Sequence, residues 1–530
     1  MLALPSETKV LIVGAGPSGL MMAAQLLRYG IQPLIIDGKQ GPTNHSKALA
    51  VQARSLEIYR QMGIVEGALT DGKPAEGAEV NLQGKHTADL LLGKAGEGGT
   101  KYPYILMYPQ NKNERLLLDF LTLKCCTVYW NTTLTEIKQL KNGAQAQLQN
   151  NGNNYQVNCE WIIGADGAHS VVRKQLGIAF VGDTYQHKFY LADIKLDKGF
   201  DDNLVHLFMA KRGFAGFFLM PENSSYRIVG NLPPDISEEE VQLSDVMPHL
   251  RSIVGSDLAI TNVNWFTVYK LHHRMAEKFN DQRCFLIGDA AHIHSPVGGQ
   301  GMNTGLQDAY NLAWKLAGVI NGQLMPVVLN SYGAERIPVA KDLLNSTDKV
   351  FNIVISQSWL SNTLKQFVLP IALKFLWGKK QFRKRFFKRV SQIGINYRES
   401  NINLHLSAGT VIKAGDRMPY LPVYDEKKQQ YTDIHTWCSK PGFTLITLGD
   451  VKEGYLFTLA KWITQNYPTD FNFFHMPRSE KNAIVFDTFE VRAGERRAII
   501  VRPDMHIGYI NDIIDIELMN NYLHQIAKFV

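Results

Sequence analysis

The chain has 530 residues, of which 45% are hydrophobic, 20% charged and 10% aromatic, and it carries a formal charge of +7. That length exceeds what one hydrophobic core serves, so about two to four domains are expected. The charge is modest for the size: it favours anionic partners in encounter but does not mark a nucleic-acid binder. The five cysteines (Cys125, Cys126, Cys159, Cys284 and Cys438) include no C-x-x-C pair. A disulfide framework, a zinc site and a dithiol redox centre therefore lack support, and no metal is expected. No apolar run reaches the roughly 18 to 20 residues that cross a bilayer. The start of the chain leaves no room for a signal peptide, so a cytoplasmic location is expected.

In chain order, residues 9–13 read as a buried strand ending at Gly14, and residues 20–29 as a helix stopped by Gly30. Residues 32–36 form the next strand and close on Asp37, completing a strand–turn–helix–strand unit of the Rossmann kind. Residues 53–61 read as a helix closed by Gly63. From residue 180 to about 271 the pattern changes to short alternating runs, such as Val205-His206-Leu207-Phe208, Phe217-Phe218-Leu219-Met220 and Tyr226-Arg227-Ile228-Val229. These predict antiparallel strands. A buried strand returns at 284–287. A helix follows over 303–320, with Leu306, Ala309, Tyr310, Ala313, Leu316 and Ala317 at helical spacing. Residues 338–393 read as mostly helical, broken at Pro370 and Gly378. Past residue 401, strand-like runs at 443–448, 483–486 and 498–501 mark a separate α/β domain beginning near Ser400.

Three glycine-punctuated segments carry the chemistry. In Gly14-Ala15-Gly16-Pro17-Ser18-Gly19 the chain must double back and let backbone amides approach a pyrophosphate. Gly14 supplies the turn, Gly16 the close approach and Gly19 the helix–strand packing, while the helix end adds partial positive charge. Asp37 stands where a carboxylate accepts from ribose hydroxyls. In Gly164-Ala165-Asp166-Gly167, Asp166 can reach either a cofactor or a neighbouring backbone amide, with Ser170 and Arg173 one turn on. In Gly288-Asp289-Ala290-Ala291-His292, Asp289 follows a buried strand and suits a polyol. The loop Pro296-Val297-Gly298-Gly299-Gln300-Gly301-Met302-Asn303 then lets amides face a flat ring at a helix N-terminus.

These segments, in this order, resemble those of class A flavoprotein aromatic hydroxylases, the family of para-hydroxybenzoate hydroxylase, phenol hydroxylases and polyketide and antibiotic hydroxylases. The similarity runs on through Leu312-Ala313-Trp314-Lys315-Leu316-Ala317 and residues 332–338. Gly415-Asp416-Arg417-Met418-Pro419, Gly442-Phe443-Thr444-Leu445 and Val501-Arg502-Pro503-Asp504 resemble the thioredoxin-like C-terminal domain of the phenol-hydroxylase branch. The resemblance implies an α/β fold: a Rossmann-like FAD-binding domain (1–179 and 276–399, the latter with a helical segment), an inserted antiparallel β-sheet substrate domain (180–275) and a thioredoxin-like domain (400–530) that lacks the cysteine pair. It places Arg54 near the flavin, Gln110 by the ribityl and ring region, and Asp289 on the ribityl. Gly299, Gly301, Met302 and Asn303 would hold the isoalloxazine, with Pro296 bordering flavin and substrate. Lys47 stands where many relatives have arginine, keeping the charge but losing bidentate geometry. Gly38 replaces a basic residue, for which Lys39 is a stand-in.

The implied activity is monooxygenation: NADH or NADPH reduces FAD, O2 adds to give a C4a-hydroperoxyflavin, and a phenolic or polycyclic aromatic ring is hydroxylated. Alternatives are oxygenation of an antibiotic or xenobiotic of the tetracycline or rifamycin type, and a flavin-binding protein without hydroxylase activity. The middle strands offer Phe208, Met209, Phe214, Phe217, Phe218, Met220, Tyr226 and Trp265 as a wall for a flat apolar substrate. Alternation predicts that half of these face away. His206, Arg212, Tyr226, Arg227, Tyr269 and His272 are unranked candidates to orient or deprotonate a phenol. Residues 374–389 mix eight basic residues with Phe382, Phe386 and Phe387. The favoured reading packs the phenylalanines on the protein with the basic face in water; membrane contact is the alternative. Monomer and homodimer stay open.

Overall fold

The computed structural model describes all residues except 1–3, 45–47, 212, 234–235, 237–240, 256–257, 295–297, 356–374, 427 and 470, and the side chains of 186–187 and 347–355. Pro296, Lys47, Arg212 and Pro370 lie outside the described residues. The first sheet is built on parallel strands Cys284–Leu286, Asn153–Gly164, Glu7–Val13 and Leu34–Ile36, side by side in that order. Their apolar runs are continuous because both faces are covered. Val10, Leu11, Ile12, Ile162, Ile163 and Leu286 are all fully buried. The helix Pro17–Arg28 starts with Pro17 in its first turn and stops before Gly30, whose φ is +76°. The helix Ala53–Met62 likewise ends on Gly63 at φ +78°.

The middle sheet is larger than the alternating runs implied. Strands Phe180–Leu196, Leu204–Ala210, Gly213–Leu219, Ser225–Asn231 and Ile260–Ala276 are joined by Gly77–Leu82 and Lys85–Leu91 from the first part of the chain. Gly77–Leu82 pairs in parallel with Leu204–Ala210, a long-range pairing that local alternation cannot reveal. One face of this sheet holds a core closed by the helix Leu243–Val254, with Phe217, Tyr226, Val246 and Leu250 fully buried.

In the carboxyl-terminal part, Phe443–Leu448 runs parallel to Phe471–Met476 across the helix Glu453–Asn466. It also pairs antiparallel with Arg497–Val501, which turns back as a hairpin into Ile507–Asn511. The run expected as a strand at 483–486 is instead part of the helix Ala483–Thr488. Val485 and Phe486 are fully buried while Ile484 is 49% exposed. Four apolar residues are too few to separate a short helix from a strand by period. The helix Lys380–Val390 packs Phe387 over Gly96 and leaves its basic residues largely at the surface. That is the packing arrangement favoured above. Among the described residues no helix is long and apolar enough to cross a membrane.

A buried cluster joins the carboxyl-terminal part to the helix Ala53–Met62. Arg417 Nη1 donates to both Glu57 oxygens at 3.1 Å, and Thr100 donates to Glu57 Oε1 at 2.8 Å. Burial, with Arg417 and Arg54 nearby, pushes the His435 imidazole down to about 4. The unfolded chain takes up this proton near pH 6.5, which the folded state refuses until about 4, so stability falls as pH drops through that window. Melting temperature measured from pH 7.5 to 4 should fall by at least a few degrees, about 2 to 5 °C. His435→Gln should flatten that slope; an unchanged slope in the variant would remove His435 as its source.

Candidate active site

The three glycine segments meet at the carboxyl ends of adjacent parallel strands, where ligands bind in open α/β sheets. Backbone hydrogen bonds stitch them together: Ala165 N–H donates to Val13 at 2.8 Å, Gly14 N–H to Ile36 at 2.8 Å and Ile287 N–H to Gly164 at 3.0 Å. Ser18 sits between two glycines: a Cβ on either Gly288 or Gly305 would collide with its hydroxyl.

The three fingerprint glycines have different reasons to be glycine. A Cβ on Gly19 would collide with the Gly14 carbonyl, and one on Gly14, at φ +106°, would collide with Ala165. A Cβ on Gly16 would meet no protein atom within 4 Å. Gly16 therefore borders open space at the start of the helix Pro17–Arg28, whose first N–H groups have no partner within the helix. That space is the cradle a pyrophosphate requires.

Asp37 accepts from Ala15 N–H at 2.7 Å and Lys39 N–H at 2.8 Å, so it braces the first glycine turn and lies half-buried beside it. Lys39 Nζ stands 3.7 Å from the same carboxylate. Asp289 is exposed within an otherwise buried run, with Gly288 and Ala290 buried on either side. Gly299 has φ +60° and packs on Ala50. Gly301, Met302 and Asn303 open the helix Gly301–Ile320, and their amides lie in its first turn. The Asn303 side chain is fully buried and fastens the loop: its amide nitrogen donates to Ala50 and Gly299 carbonyls, and its oxygen accepts from Gln52 N–H and Ser55. Gln110 begins the helix Gln110–Leu123, half-buried, donating from its side chain to Glu114 at 2.9 Å.

Two of the expected cofactor residues also hold structural contacts. Asp166 accepts from Ser170 Oγ at 2.6 Å and from Val171 and Val172 N–H at 2.6 and 3.1 Å. Of its two readings, the structure displays the tie between strand and helix. Arg54 is only 2% exposed; its guanidinium donates to Glu57 at 3.2 Å and to the Asp504 carbonyl at 2.8 Å. These contacts fasten the helix Ala53–Met62 to the carboxyl-terminal part.

The middle sheet sorts the candidates by face. Phe208, Phe217 and Tyr226 pack around Phe200 on the buried face, with the His206 ring tilted over the same ring at 4.7 Å. The Tyr226 hydroxyl is occupied by Phe200 N–H, and His272 lies exposed beside Thr184. On the opposite face, Phe218, Arg227, Asp193 and Trp265 stand in register across four strands. Arg227 grips Asp193 with two hydrogen bonds of 2.7 Å and reaches the Ala48 carbonyl at 3.5 Å, so this face meets the segment that runs into the strand Ala50–Val51. Tyr269 shares it, two pairs along the strand, and burial pushes its phenol well above the usual range.

One group escaped the sequence reading. Thr304, Asp308, Asn311 and Lys315 recur at helical spacing along Gly301–Ile320 and look like a solvent face, yet all are at most 1% exposed. Asp308 accepts from Gly288 N–H at 3.0 Å and lies 2.7 Å from both His292 Nε2 and Arg336 Nε. Burial alone would raise its carboxyl; Arg336 and His292 outweigh that and hold it below the usual range. A signal did exist: a charge placed two residues after Leu306 and one before Ala309, within the helix's apolar run.

Two substitutions separate ligand space from packing. Gly16→Ala should keep the fold while weakening FAD by about tenfold or more, because only a close-approaching pyrophosphate needs the missing Cβ. Gly19→Ala should destabilise the protein by about 3 kcal/mol or more through its clash with backbone. Thermal melts and FAD titration of both variants decide; equal losses in the two would show that Gly16 is also a packing glycine. Asp289→Ala should purify largely colourless, read by the visible flavin band, and full yellow occupancy would contradict it.

The open cradle, the helix start and the acidic side chains around it fit FAD. Residues 7–347 match the family model described as an FAD binding domain. 6-Methylpretetramide 4-monooxygenase of Streptomyces rimosus is 34% identical over 399 residues, 74% of this chain and 70% of that protein. Pentachlorophenol 4-monooxygenase of Sphingobium chlorophenolicum is 32% identical over 419 residues, 78% and 76% of the two chains. The solved structure of OxyS anhydrotetracycline hydroxylase from Streptomyces rimosus superposes with a TM-score of 0.78 at 26% identity, over 98% of each chain. The chain belongs to the class A FAD-dependent aromatic monooxygenases.

Proposed function

We propose that the protein hydroxylates a neutral phenolic substrate of several fused rings, using NADH or NADPH and O2. The observation that carries the substrate class is the half-buried face of the middle sheet, where Phe218 and Trp265 flank a self-neutralised Arg227–Asp193 pair. The relatives named for tetracycline-type ring systems support the same class. When bound, FAD supplies the redox chemistry that activates oxygen. The aromatic wall excludes water from the ring to be attacked. Asp193 cancels the charge of Arg227, which suits a phenol better than a carboxylic acid. Tyr269, kept protonated by burial, serves as a donor rather than a base.

For the cofactor, the reading assigns pyrophosphate to Gly14, Gly16, Pro17, Ser18 and Gly19, ribose to Asp37, and ribityl to Asp289. The amides of Gly301, Met302 and Asn303 favour negative charge on the ring they face, through the helix dipole. The domain reading is an FAD-binding domain (1–179 and 276–399), a substrate domain (180–275) and a thioredoxin-like domain (400–530). For the last, parallel strands across the helix Glu453–Asn466, followed by a hairpin and the helix Ile516–Asn521, support that topology. Cys438 is buried and its thiol is pushed up to about 12, which supports an assembly role over thiol redox chemistry.

The test is a panel of single-ring phenols, fused polycyclic phenols, aromatic acids and intact antibiotics, scored by stimulated NAD(P)H consumption and mass gain of one oxygen. Fused phenols should lead the panel. A preference for aromatic acids would refute the neutral-substrate reading, and consumption without oxygenated product would favour a non-hydroxylating flavoprotein.

A further inference from the structure

The buried polar stripe of the helix Gly301–Ile320 is expensive, because burying ions rarely gains stability over apolar packing of the same volume. Asp308 is its branching point, held by Arg336 and also by His292, whose Nε2 lies 2.7 Å from Oδ2. Asp308 Oδ2 takes Gly288 N–H at 3.0 Å, and Oδ1 takes Arg336 Nε at 2.7 Å. Arg336 spends its two remaining nitrogens on the Thr304 carbonyl at 3.1 Å and on the Tyr397 hydroxyl at 3.0 Å. Tyr397 is in turn fixed by its own N–H to Gly415 at 2.7 Å and by its ring, 4.2 Å from that of His506. Arg336 is fully buried, and Tyr397 is 5% exposed.

The chain of contacts ends on a backbone that needs orienting. Gly288 has φ +58°, a left-handed conformation, and the next residue is Asp289. The direction of the Gly288 amide sets where the Asp289 side chain emerges. We propose that Tyr397, acting through Arg336 and Asp308, holds the Gly288–Asp289 turn in its cofactor-binding orientation, which makes the segment leading into the carboxyl-terminal part, fastened to it at Gly415, a positioning element of the FAD site. This rests on the ribityl reading of Asp289. It predicts that a hydrogen bond lost far from the cofactor weakens FAD, while an equal loss elsewhere on the same interface does not.

Asp308→Asn strands a buried guanidinium and can abolish folding, so the deciding variant is Tyr397→Phe. That variant keeps the ring and the backbone bond and removes only the acceptor for Arg336. The comparison is Arg60→Gln, which breaks the pair with Asp433 (2.6 Å) across the same interface but has no link to Asp308. FAD affinity of each apoprotein is read by quenching of flavin fluorescence on binding. Tyr397→Phe should raise the dissociation constant about five- to tenfold, since one buried charged donor loses its acceptor, with Arg60→Gln within about twofold of wild type. A Tyr397→Phe protein within about twofold of wild type, or an Arg60→Gln protein weakened as much as it, overturns the proposal. Wild-type affinity that survives Asp289→Ala unchanged overturns the ribityl reading instead, so the two failures are told apart.

Discussion

The steric meeting of Ser18 with Gly288 and Gly305 is the constraint on which the site depends. A serine on the first helix, a glycine after the strand Cys284–Leu286 and a glycine inside the helix Gly301–Ile320 fill one another's space. No methyl group can be added at either glycine without displacing Ser18. The same economy holds at Gly14 and Ala165, where two strand ends touch backbone to backbone. Because these contacts fill the interior side, the only room left at the turn lies outward at Gly16. The cofactor cradle is thus the residue of a packing problem solved everywhere else.

Around this contact the protein spends buried charge. Glu335 is gripped by Arg502 at 2.7 and 2.9 Å and by Lys315 at 2.7 Å, and Arg502 also pairs with Asp504. All four side chains are at most 1% exposed. Burial pushes Lys315 down to about 8, while Arg502 and Lys315 together outweigh burial and hold the Glu335 carboxyl below the usual range. Such a network stabilises only when every member is satisfied, and breaking one partner leaves an uncompensated ion. It therefore selects one docking of the carboxyl-terminal part against the glycine segments, and registry rather than raw stability is what it contributes. Arg54, with its guanidinium on the Asp504 carbonyl, belongs to this docking.

The middle sheet works differently, by alternation. Its buried face is an aromatic core around Phe200, and its other face carries Phe218, Trp265, Arg227 and Tyr269. A sheet with one face committed to a core has its register specified, since a slip of one residue would swap the two sets. Specificity can then vary on one face without cost to the other.

Local chemistry determined much of this protein. The helix stops at Gly30 and Gly63, the strand at 443–448, the glycine turn with Asp37 behind it, and the long helix after the third motif were all legible, because each depends on residues a few positions apart. The family's glycine segments likewise announced the cofactor. Tertiary structure decided the rest. Only pairing between distant strands brought Gly77–Leu82 into the middle sheet. Only burial turned the polar stripe of Thr304, Asp308, Asn311 and Lys315 from an apparent solvent face into a core network. Only the fold brought the Asp504 carbonyl within reach of Arg54. The reason is common to all of these: a side chain's period says which neighbours share its face, but whether that face meets water or an opposite charge is set by chain segments beyond that local period.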